Sequence, residues 1–286
     1  MSSFKFNFSS CTDEAQPDAE FIDNKIVWIE CEEIVPHESI ENIDDLVTHA
    51  SIFICGDVEI SYVKASEALA NMYKGDNVFK SAVELAEKEH SDLVTGKYEG
   101  GLKIWEGTSD LIEFLESNSD IPFQDKKVLD LGCGAGILGI YAFLKKSLVT
   151  FQDYNKEILE CVTIPNVLLN IEDNEETMDA NKCKFYSGDW ASFNNKLPDT
   201  ETFDIILTSE TIYNTSNYNK LIDLFLKRLN PNGEAYVAAK TCYFGVGGGT
   251  RQFESVVMKN GQFETSVCWK SSGGILREIL KLTKKT

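Results

Sequence analysis

Short apolar runs alternate with segments of helical periodicity over the last two thirds of this chain. Runs of strand length lie at 127–131, 148–152, 183–187, 203–208 and 234–239. Apolar residues at helical spacing fall at 109–115, 137–145, 157–169 and 218–229. Strands that are regularly separated by helices predict a parallel sheet with right-handed crossovers, so we expect an α/β fold.

Two further strand candidates, at 262–269 and 275–283, follow a helix candidate at 253–259. Only a short Ser-Ser-Gly-Gly turn separates these two strands. With no helix between them they should pair as an antiparallel hairpin, which brings the expected sheet to seven strands.

The first ninety residues have a different character. Residues 1–60 hold 14 acidic residues against Lys5 and Lys25, which places −12 of the net charge of −19 in this stretch. Residues 62–90 show helical spacing that is interrupted near Gly75-Asp76, and the turn-rich segment 91–101 follows. We expect a partly helical, acidic N-terminal extension over 1–90 and an α/β domain over 91–286.

The net negative charge of the chain indicates which class of macromolecule it can bind. A surface this negative repels phosphate backbones and lacks the counterion release that drives nucleic-acid binding, so we expect no direct nucleic-acid readout. A basic protein suits the charge better. A solvated, flexible arm is the alternative interpretation of the same residues.

The eight cysteines are scattered, without a C-x-x-C pair or a histidine cluster. This pattern favours reduced thiols and argues against a metal site or a disulfide framework. No apolar run approaches the roughly 20 residues that span a bilayer, and the first ten residues lack the apolar core of a signal peptide. We expect a monomer in the cytoplasm and nucleus, with no membrane association.

The strongest local motif is the stretch 128–136, Val-Leu-Asp-Leu-Gly-Cys-Gly-Ala-Gly, in which a buried strand runs into glycines that open a helix. Asp130, Gly132 and Gly134 are its candidate ligand contacts, because glycines let the backbone approach a ligand. The dinucleotide fingerprint G-x-G-x-x-G would place glycine where this chain has Ile137. The motif favours a cofactor that brings no pyrophosphate to the turn, S-adenosylmethionine, although a tight turn alone could also explain the glycines.

Two further strand ends supply candidate contacts for a nucleoside. Asp153 ends the next strand, where a carboxylate can accept hydrogen bonds from both ribose hydroxyls. Asp189 and Trp190 follow the third strand and offer an acceptor and an aromatic face to adenine. Ligands of open α/β sheets bind outside the carboxyl ends of the strands, so these loops should converge.

The fourth strand runs into Ser209-Glu210-Thr211-Ile212-Tyr213. DNA and glutamine-amide methyltransferases carry Asn/Asp-Pro-Pro-Tyr at this position, and its absence argues against those substrates. The Glu-x-x-Tyr spacing is similar to the signature of protein methyltransferases that modify single residues of other proteins.

Within that group the chain resembles the protein-histidine N-methyltransferases of the seven-β-strand superfamily, which act on a large-subunit ribosomal protein. The resemblance covers residues 91–286 well and the first ninety poorly. The matching stretches are 4–8, 91–106, 132–136, 151–155, 207–213 and 243–249.

The resemblance implies a Rossmann-like class I methyltransferase sheet with S-adenosylmethionine as cofactor and S-adenosylhomocysteine as product. Glu210 and Tyr213 would border the acceptor, and the glycine-rich stretch 243–249 would close over it unless it is only a flexible turn. The implied cofactor contacts are Trp105, Glu106, Gly107, Thr108, Gly132, Gln152, Asp153, Tyr154, Gly188, Asp189, Trp190 and Ser209.

Methyl transfer to nitrogen is an in-line displacement that needs alignment and a free lone pair. A histidine, with a reference pKa of about 6.5, is mostly neutral in the cytosol, whereas a lysine, at about 10.4, must first lose a proton. We expect Glu210 to accept the imidazole N–H so that the tele nitrogen faces the methyl group, while Tyr213 packs on the ring. Lysine methylation and an inactive, cofactor-binding ribosome-assembly factor remain the alternatives.

Overall fold

The computed structural model describes residues 28–36, 48, 50–72, 77–88, 91–94, 96–172, 182–245 and 247–285. The predictions for residues 4–8 and for the break near Gly75-Asp76 lie outside these ranges. The strands are β1 Glu32–Ile34, β2 Ala50–Cys55, β3 Val58–Val63, β4 Lys127–Leu131, β5 Leu148–Asp153, β6 Cys183–Ser187, β7 Phe203–Ser209, β8 Leu229–Lys240, β9 Phe263–Lys270 and β10 Arg277–Lys284.

The main sheet has the strand order β1-β6-β5-β4-β7-β8-β10-β9. Strands β4 to β8 pair in parallel, and β10 pairs antiparallel with both β8 and β9. Seven of these strands form the predicted class I methyltransferase sheet, and the predicted C-terminal hairpin is confirmed. The eighth, β1, comes from the N-terminal region and pairs antiparallel with β6 at the sheet edge.

Helices cover both faces of this sheet. Their bounds are α1 Ala65–Met72, α2 Asn77–Lys88, α3 Glu106–Ser117, α4 Ile137–Leu144, α5 Lys156–Ile158, α6 Ile164–Glu172, α7 Trp190–Lys196, α8 Tyr218–Arg228 and α9 Thr250–Asn260, with a π-helical turn at Leu159–Thr163. Ile112 and Ile140 belong to the apolar layer on one face, and Phe193, Phe225 and Phe253 to the layer on the other. Burial on both faces is what the near-continuous apolar runs of β4 and β7 require.

The hairpin β2–β3 packs on α6 through two asparagines. Asn166 Oδ1 accepts the Val63 N–H at 2.7 Å, and Asn170 Oδ1 accepts the Ser61 N–H at 3.0 Å. These bonds satisfy one edge of β3, which would otherwise present unpaired backbone groups. The division of the chain into an extension over 1–90 and a methyltransferase domain over 91–286 stays a prediction.

Candidate active site

A cleft opens at the carboxyl ends of β4 to β7. It lies where ligands of open α/β sheets bind. The residues that line it come from the segment before α3 and from the loops that follow these strands. Among the sequence-predicted contacts, the lining includes Trp105, Thr108, Asp130, Gly132, Gly134, Asp153, Tyr154, Asp189, Trp190, Ser209, Glu210 and Tyr213.

The glycine turn after β4 forms the floor of the cleft. Gly132 has φ +66°, and a Cβ there would lie 2.6 Å from Thr211 Cγ2, so only glycine fits. Asp130 is buried beneath the turn, and its Oδ2 accepts the Gly139 N–H at 2.8 Å. Burial raises the pKa of Asp130 to about 8.

Asp153 ends β5 and faces the cleft beside this turn. Its Oδ2 accepts the Gly134 N–H at 2.9 Å, and its Oδ1 accepts the Asn155 N–H at 3.0 Å. The Tyr154 backbone N–H is a third donor to this carboxylate, which has about four acceptor positions and therefore keeps room for a ligand hydroxyl. Burial raises the pKa of Asp153 to about 6, although these backbone donors oppose the shift.

Four predicted contacts lie behind or beside the cleft wall instead of on it. Gln152 is fully buried and bridges the third loop, which is 188–190 after β6. Its Nε2 donates to Gly188 O at 2.8 Å, and its Oε1 accepts from Trp190 Nε1 at 3.0 Å. It therefore orients Trp190. Glu106 begins α3 with its carboxylate 3.8 Å from Lys240 Nζ, and a Cβ on Gly107 would lie 3.0 Å from Glu210 Oε1. Gly107 thus makes room for Glu210.

Gly188, the fourth, contacts the segment 28–34, which includes β1. Its φ is +109°, and a Cβ there would lie 2.9 Å from Cys31 Cα. The neighbouring Asp189 N–H donates to Ile29 O at 3.0 Å, and the Cys31 N–H donates to Ser192 Oγ at 2.8 Å. The 28–34 segment therefore supports the loop that presents Asp189 and Trp190.

We expect G188A to bind S-adenosylhomocysteine about tenfold more weakly and to lower the melting temperature. A non-glycine residue in such a sparsely populated conformation costs about 1–3 kcal/mol, and the methyl group must also displace the 28–34 segment. Calorimetry and thermal unfolding would measure both effects. G261A is the matched control, because Gly261 also has positive φ, +79°, but has open space at its Cβ. If G188A and G261A lost the same affinity and the same melting temperature, the 28–34 segment would not specifically support the cofactor loop.

Glu210 has an unusual backbone at the wall of the cleft. Its φ is +56°, in the left-handed region that non-glycine residues rarely adopt, and its N–H donates to Ala238 O at 2.8 Å. The side chain is buried, with Oε2 accepting the Tyr243 hydroxyl proton, while Oε1 has no hydrogen-bond partner among the described residues. Burial raises the pKa of Glu210, and the Tyr243 hydrogen bond opposes the shift. Such strain and an unsatisfied buried acceptor point to a functional role.

A second cavity adjoins the first at this wall. The two share Glu99, Trp105, Glu210 and Tyr213, and the second opens between Phe244 and Ile275. Tyr213 donates its hydroxyl proton to Glu99 Oε2, and burial raises the pKa of both groups. Glu210 and Tyr213 thus lie on the wall that the two cavities share.

Glu99, Lys240 and Tyr243 were not among the predicted site residues. Glu99 and Tyr243 lie in stretches that match the resembled family, but their pairing with Tyr213 and Glu210 spans 114 and 33 positions of sequence. Lys240 ends β8, and its Nζ lies 5.6 Å from the Trp105 ring centroid and 5.9 Å from that of Tyr243. The spacing of residues along the sequence does not reveal contacts between side chains that are this far apart in the chain.

The lining fits S-adenosylmethionine. Asp153 keeps room to accept a ribose hydroxyl, and Trp190, held by Gln152, offers an aromatic face for adenine. A side chain on Gly132 would close the space between the turn and Thr211, where the methionine end would lie. Thr108 Oγ1 and Ser209 Oγ, 2.9 Å apart, add hydroxyl groups on the opposite wall. Among the described residues, no group of three or more His, Cys, Asp or Glu side chains could hold a metal ion.

Residues 88–254 match a protein-family model described as lysine methyltransferase. The chain belongs to this methyltransferase family. S-adenosylmethionine, the predicted cofactor, is confirmed by this membership. No described helix is long and apolar enough to cross a membrane, and none of the seven described cysteines forms a disulfide.

Curated relatives within the methyltransferase family carry a more specific name, histidine protein methyltransferase 1 homolog. The protein of Dictyostelium discoideum is 43% identical over 69% of this chain and 62% of its own length. The Bos taurus protein is 39% identical over 80% of this chain and 65% of its own length. The Rattus norvegicus protein is 33% identical over 95% of this chain and 77% of its own length. The chain thus spans less than two thirds of the first two relatives.

Proposed function

We propose that this protein is an S-adenosylmethionine-dependent protein-histidine N-methyltransferase that methylates the tele nitrogen of a histidine in a large-subunit ribosomal protein. The observation that carries the proposal is the buried Glu210 carboxylate. Glu210 lines both the cofactor cleft and the second cavity, and its buried Oε1, beside Gly107, has no hydrogen-bond partner among the described residues. The similarity to histidine protein methyltransferase 1 homologues supports the choice of histidine.

An acceptor imidazole would satisfy Glu210. The pros N–H, donated to Oε1, would fix the tautomer and leave the lone pair of the tele nitrogen directed toward the cleft. When bound, S-adenosylmethionine supplies a methyl group on a sulfonium centre that becomes neutral as the methyl leaves. Because the imidazole is mostly neutral near pH 7, the chain needs to orient the ring and stabilise the charge that develops on it, and Glu210 and Tyr213 would do both.

The ribosomal target is supported by the resemblance and by charge. Basic ribosomal proteins are complementary to a chain of net charge −19. We further propose that the protein acts as a monomer in the cytoplasm and nucleus, where such substrates are made and assembled. The acidic residues of 1–60 would attract the substrate.

The test is methylation of a large-subunit ribosomal protein fraction by the purified full chain with methyl-labelled cofactor. Mass spectrometry and amino-acid analysis would distinguish tele-methylhistidine, pros-methylhistidine and methyllysine. Tele-methylhistidine on one ribosomal protein is expected, and E210Q should slow its formation strongly. Methyllysine would favour the activity that the family model's description names. Cofactor binding without transfer would favour the inactive assembly factor.

A further inference from the structure

Tyr243 contacts the proposed catalytic carboxylate from outside the cofactor cleft. Its hydroxyl donates to Glu210 Oε2, and the residue lines the second cavity but not the first. The mechanism above gives Tyr243 no role of its own. Its position makes it a candidate for controlling where the free oxygen of Glu210 points.

Two contacts fix the direction of the Tyr243 hydroxyl and ring. The Lys240 backbone N–H donates to the Tyr243 oxygen at 3.4 Å, which occupies a lone pair and leaves the hydroxyl proton for Glu210. The ring meets the Tyr213 ring edge to face, with centroids 6.2 Å apart and planes at 73°. The two tyrosines that face the acceptor opening therefore hold each other in place.

The loop that carries Tyr243 is anchored at its base. Tyr243 N–H donates to Gly248 O at 3.2 Å, and the Gly249 N–H donates to Ile212 O at 3.2 Å. A Cβ on Gly248 would lie 2.4 Å from the same Ile212 oxygen, so the loop sits directly on the segment that follows Glu210. Phe244, next to Tyr243, is 79% exposed. The glycines thus fix the Tyr243 end of the loop and leave Phe244 at the mouth of the cavity.

We infer that Tyr243 is a positioning residue, which holds Glu210 Oε2 and so leaves Oε1 as the oxygen that can accept the N–H of the acceptor ring. The inference rests on the proposed function of Glu210 and deepens it. The other charged groups near Glu210 are Lys240 of β8, Glu106 of α3 and Arg277 of β10. Glu99, paired to Tyr213, lines the same cavity as Glu210. Tyr243, in contrast to these charged groups, donates a side-chain hydrogen bond to the Glu210 carboxylate.

The direct test is Y243F, which removes the hydroxyl and keeps the ring. We expect kcat to fall about tenfold, as for loss of one hydrogen bond to a charged group, with S-adenosylhomocysteine affinity unchanged within about twofold. Without this donor the Glu210 pKa rises, so the acid limb of kcat against pH moves to higher pH. NMR of ¹³C-carboxyl-labelled glutamate would follow Glu210 itself, with E210Q identifying its signal.

Y236F is the matched control. Tyr236 is also a buried tyrosine that donates to a glutamate, Glu234, but the pair lies outside the residues that line either part of the site. Y236F should keep the wild-type kcat and pH profile. An equal fall in Y243F and Y236F would show a general effect of losing a buried hydroxyl and would overturn the inference.

A double-mutant cycle tests whether Tyr243 acts through Glu210. If it does, Y243F adds little further loss in the E210Q background, and the two effects are far from additive. If the factors by which Y243F and E210Q lower kcat multiplied in the double mutant, the positioning role would be refuted. An unchanged Glu210 pKa in Y243F would refute it as well. Failure of the proposed function has a different signature, since it would appear in the wild type as methyllysine or as no transfer, whereas the NMR titration does not depend on the acceptor.

Discussion

E210Q is expected to lower kcat by about 100-fold or more while the dissociation constant of S-adenosylhomocysteine changes by less than about twofold. Removing one group that stabilises charge developing in the transition state commonly costs about 10²–10³ in kcat. Glutamine has nearly the same shape, so the hydrogen bond from Tyr243 and the backbone bond to Ala238 can persist. The loss should therefore appear in turnover and not in cofactor binding.

Single-turnover kinetics and calorimetry would separate these two quantities for E210Q. E234Q is the matched control, because Glu234 also accepts a tyrosine hydroxyl but lies in the middle of β8 and lines neither of the two cavities of the site. It should leave kcat unchanged. If E210Q weakened cofactor binding as much as turnover, Glu210 would be a structural support of the cleft and the proposed role would fail.

D153N is expected to weaken binding of S-adenosylhomocysteine by roughly 100-fold. The ionised carboxylate can accept from a ribose hydroxyl, and a hydrogen bond to a charged group contributes about 1.5–3 kcal/mol. The amide also turns an N–H₂ group toward either the Gly134 N–H or the Asn155 N–H, both of which need an acceptor. Calorimetric titration would measure the change.

D204N provides the comparison for D153N. Asp204 also accepts a backbone N–H, that of Lys127 at 3.0 Å, but it lies at the amino end of β7 and does not line the cleft. Its substitution should leave the affinity within about twofold of wild type. Equal weakening in both variants would show that the loss comes from general destabilisation.

Cofactor affinity should also fall as the pH drops below about 6. Burial raises the pKa of Asp153 to about 6 in the free protein, and the protonated carboxyl is a poorer acceptor. Ligand hydroxyls favour the ionised form, so the pKa of the bound state is lower, and Kd rises about tenfold per pH unit between the two values. D153N should abolish the part of this slope that Asp153 contributes, which calorimetry across pH 5–8 would show.

The sheet could be predicted from sequence because its strands are locally determined. The predicted bounds of β4 and β6 agree with the structure to the residue, since each is an apolar run that ends at a turn. β8 begins at Leu229 instead of the predicted 234, because Asn230-Pro231-Asn232-Gly233 signals a turn although Leu229 already pairs with Phe203. β1 was not predicted as a sheet strand, since two of its three residues are glutamates with low strand propensity. α7 does not appear among the predicted helices, because its sequence, Trp-Ala-Ser-Phe-Asn-Asn-Lys, is short and half polar.

The sequence predicts those site residues that lie in a single loop directly after a strand. The glycine turn, Asp153 and Glu210 each follow a recognisable strand, and the parallel topology brings their loops to one edge. The bridging role of Gln152 and the two tyrosine–glutamate pairs depend on tertiary contacts between distant segments. The left-handed backbone of Glu210 is likewise imposed by its surroundings, and no residue preference indicates it.

The contacts between the 28–34 segment and the third loop couple docking of this segment to nucleoside binding in the cleft. Docking of the 28–34 segment, which includes β1, holds the loop that carries Asp189 and Trp190. The Ile29 oxygen accepts the Asp189 N–H, and the Cys31 N–H donates to the Ser192 hydroxyl. Thermodynamic coupling is reciprocal, so a nucleoside held by that loop makes the strand harder to detach by the same free energy. Occupancy of the cofactor cleft should therefore slow amide hydrogen exchange in β1. A binding partner that pulls β1 from the sheet edge would promote cofactor release.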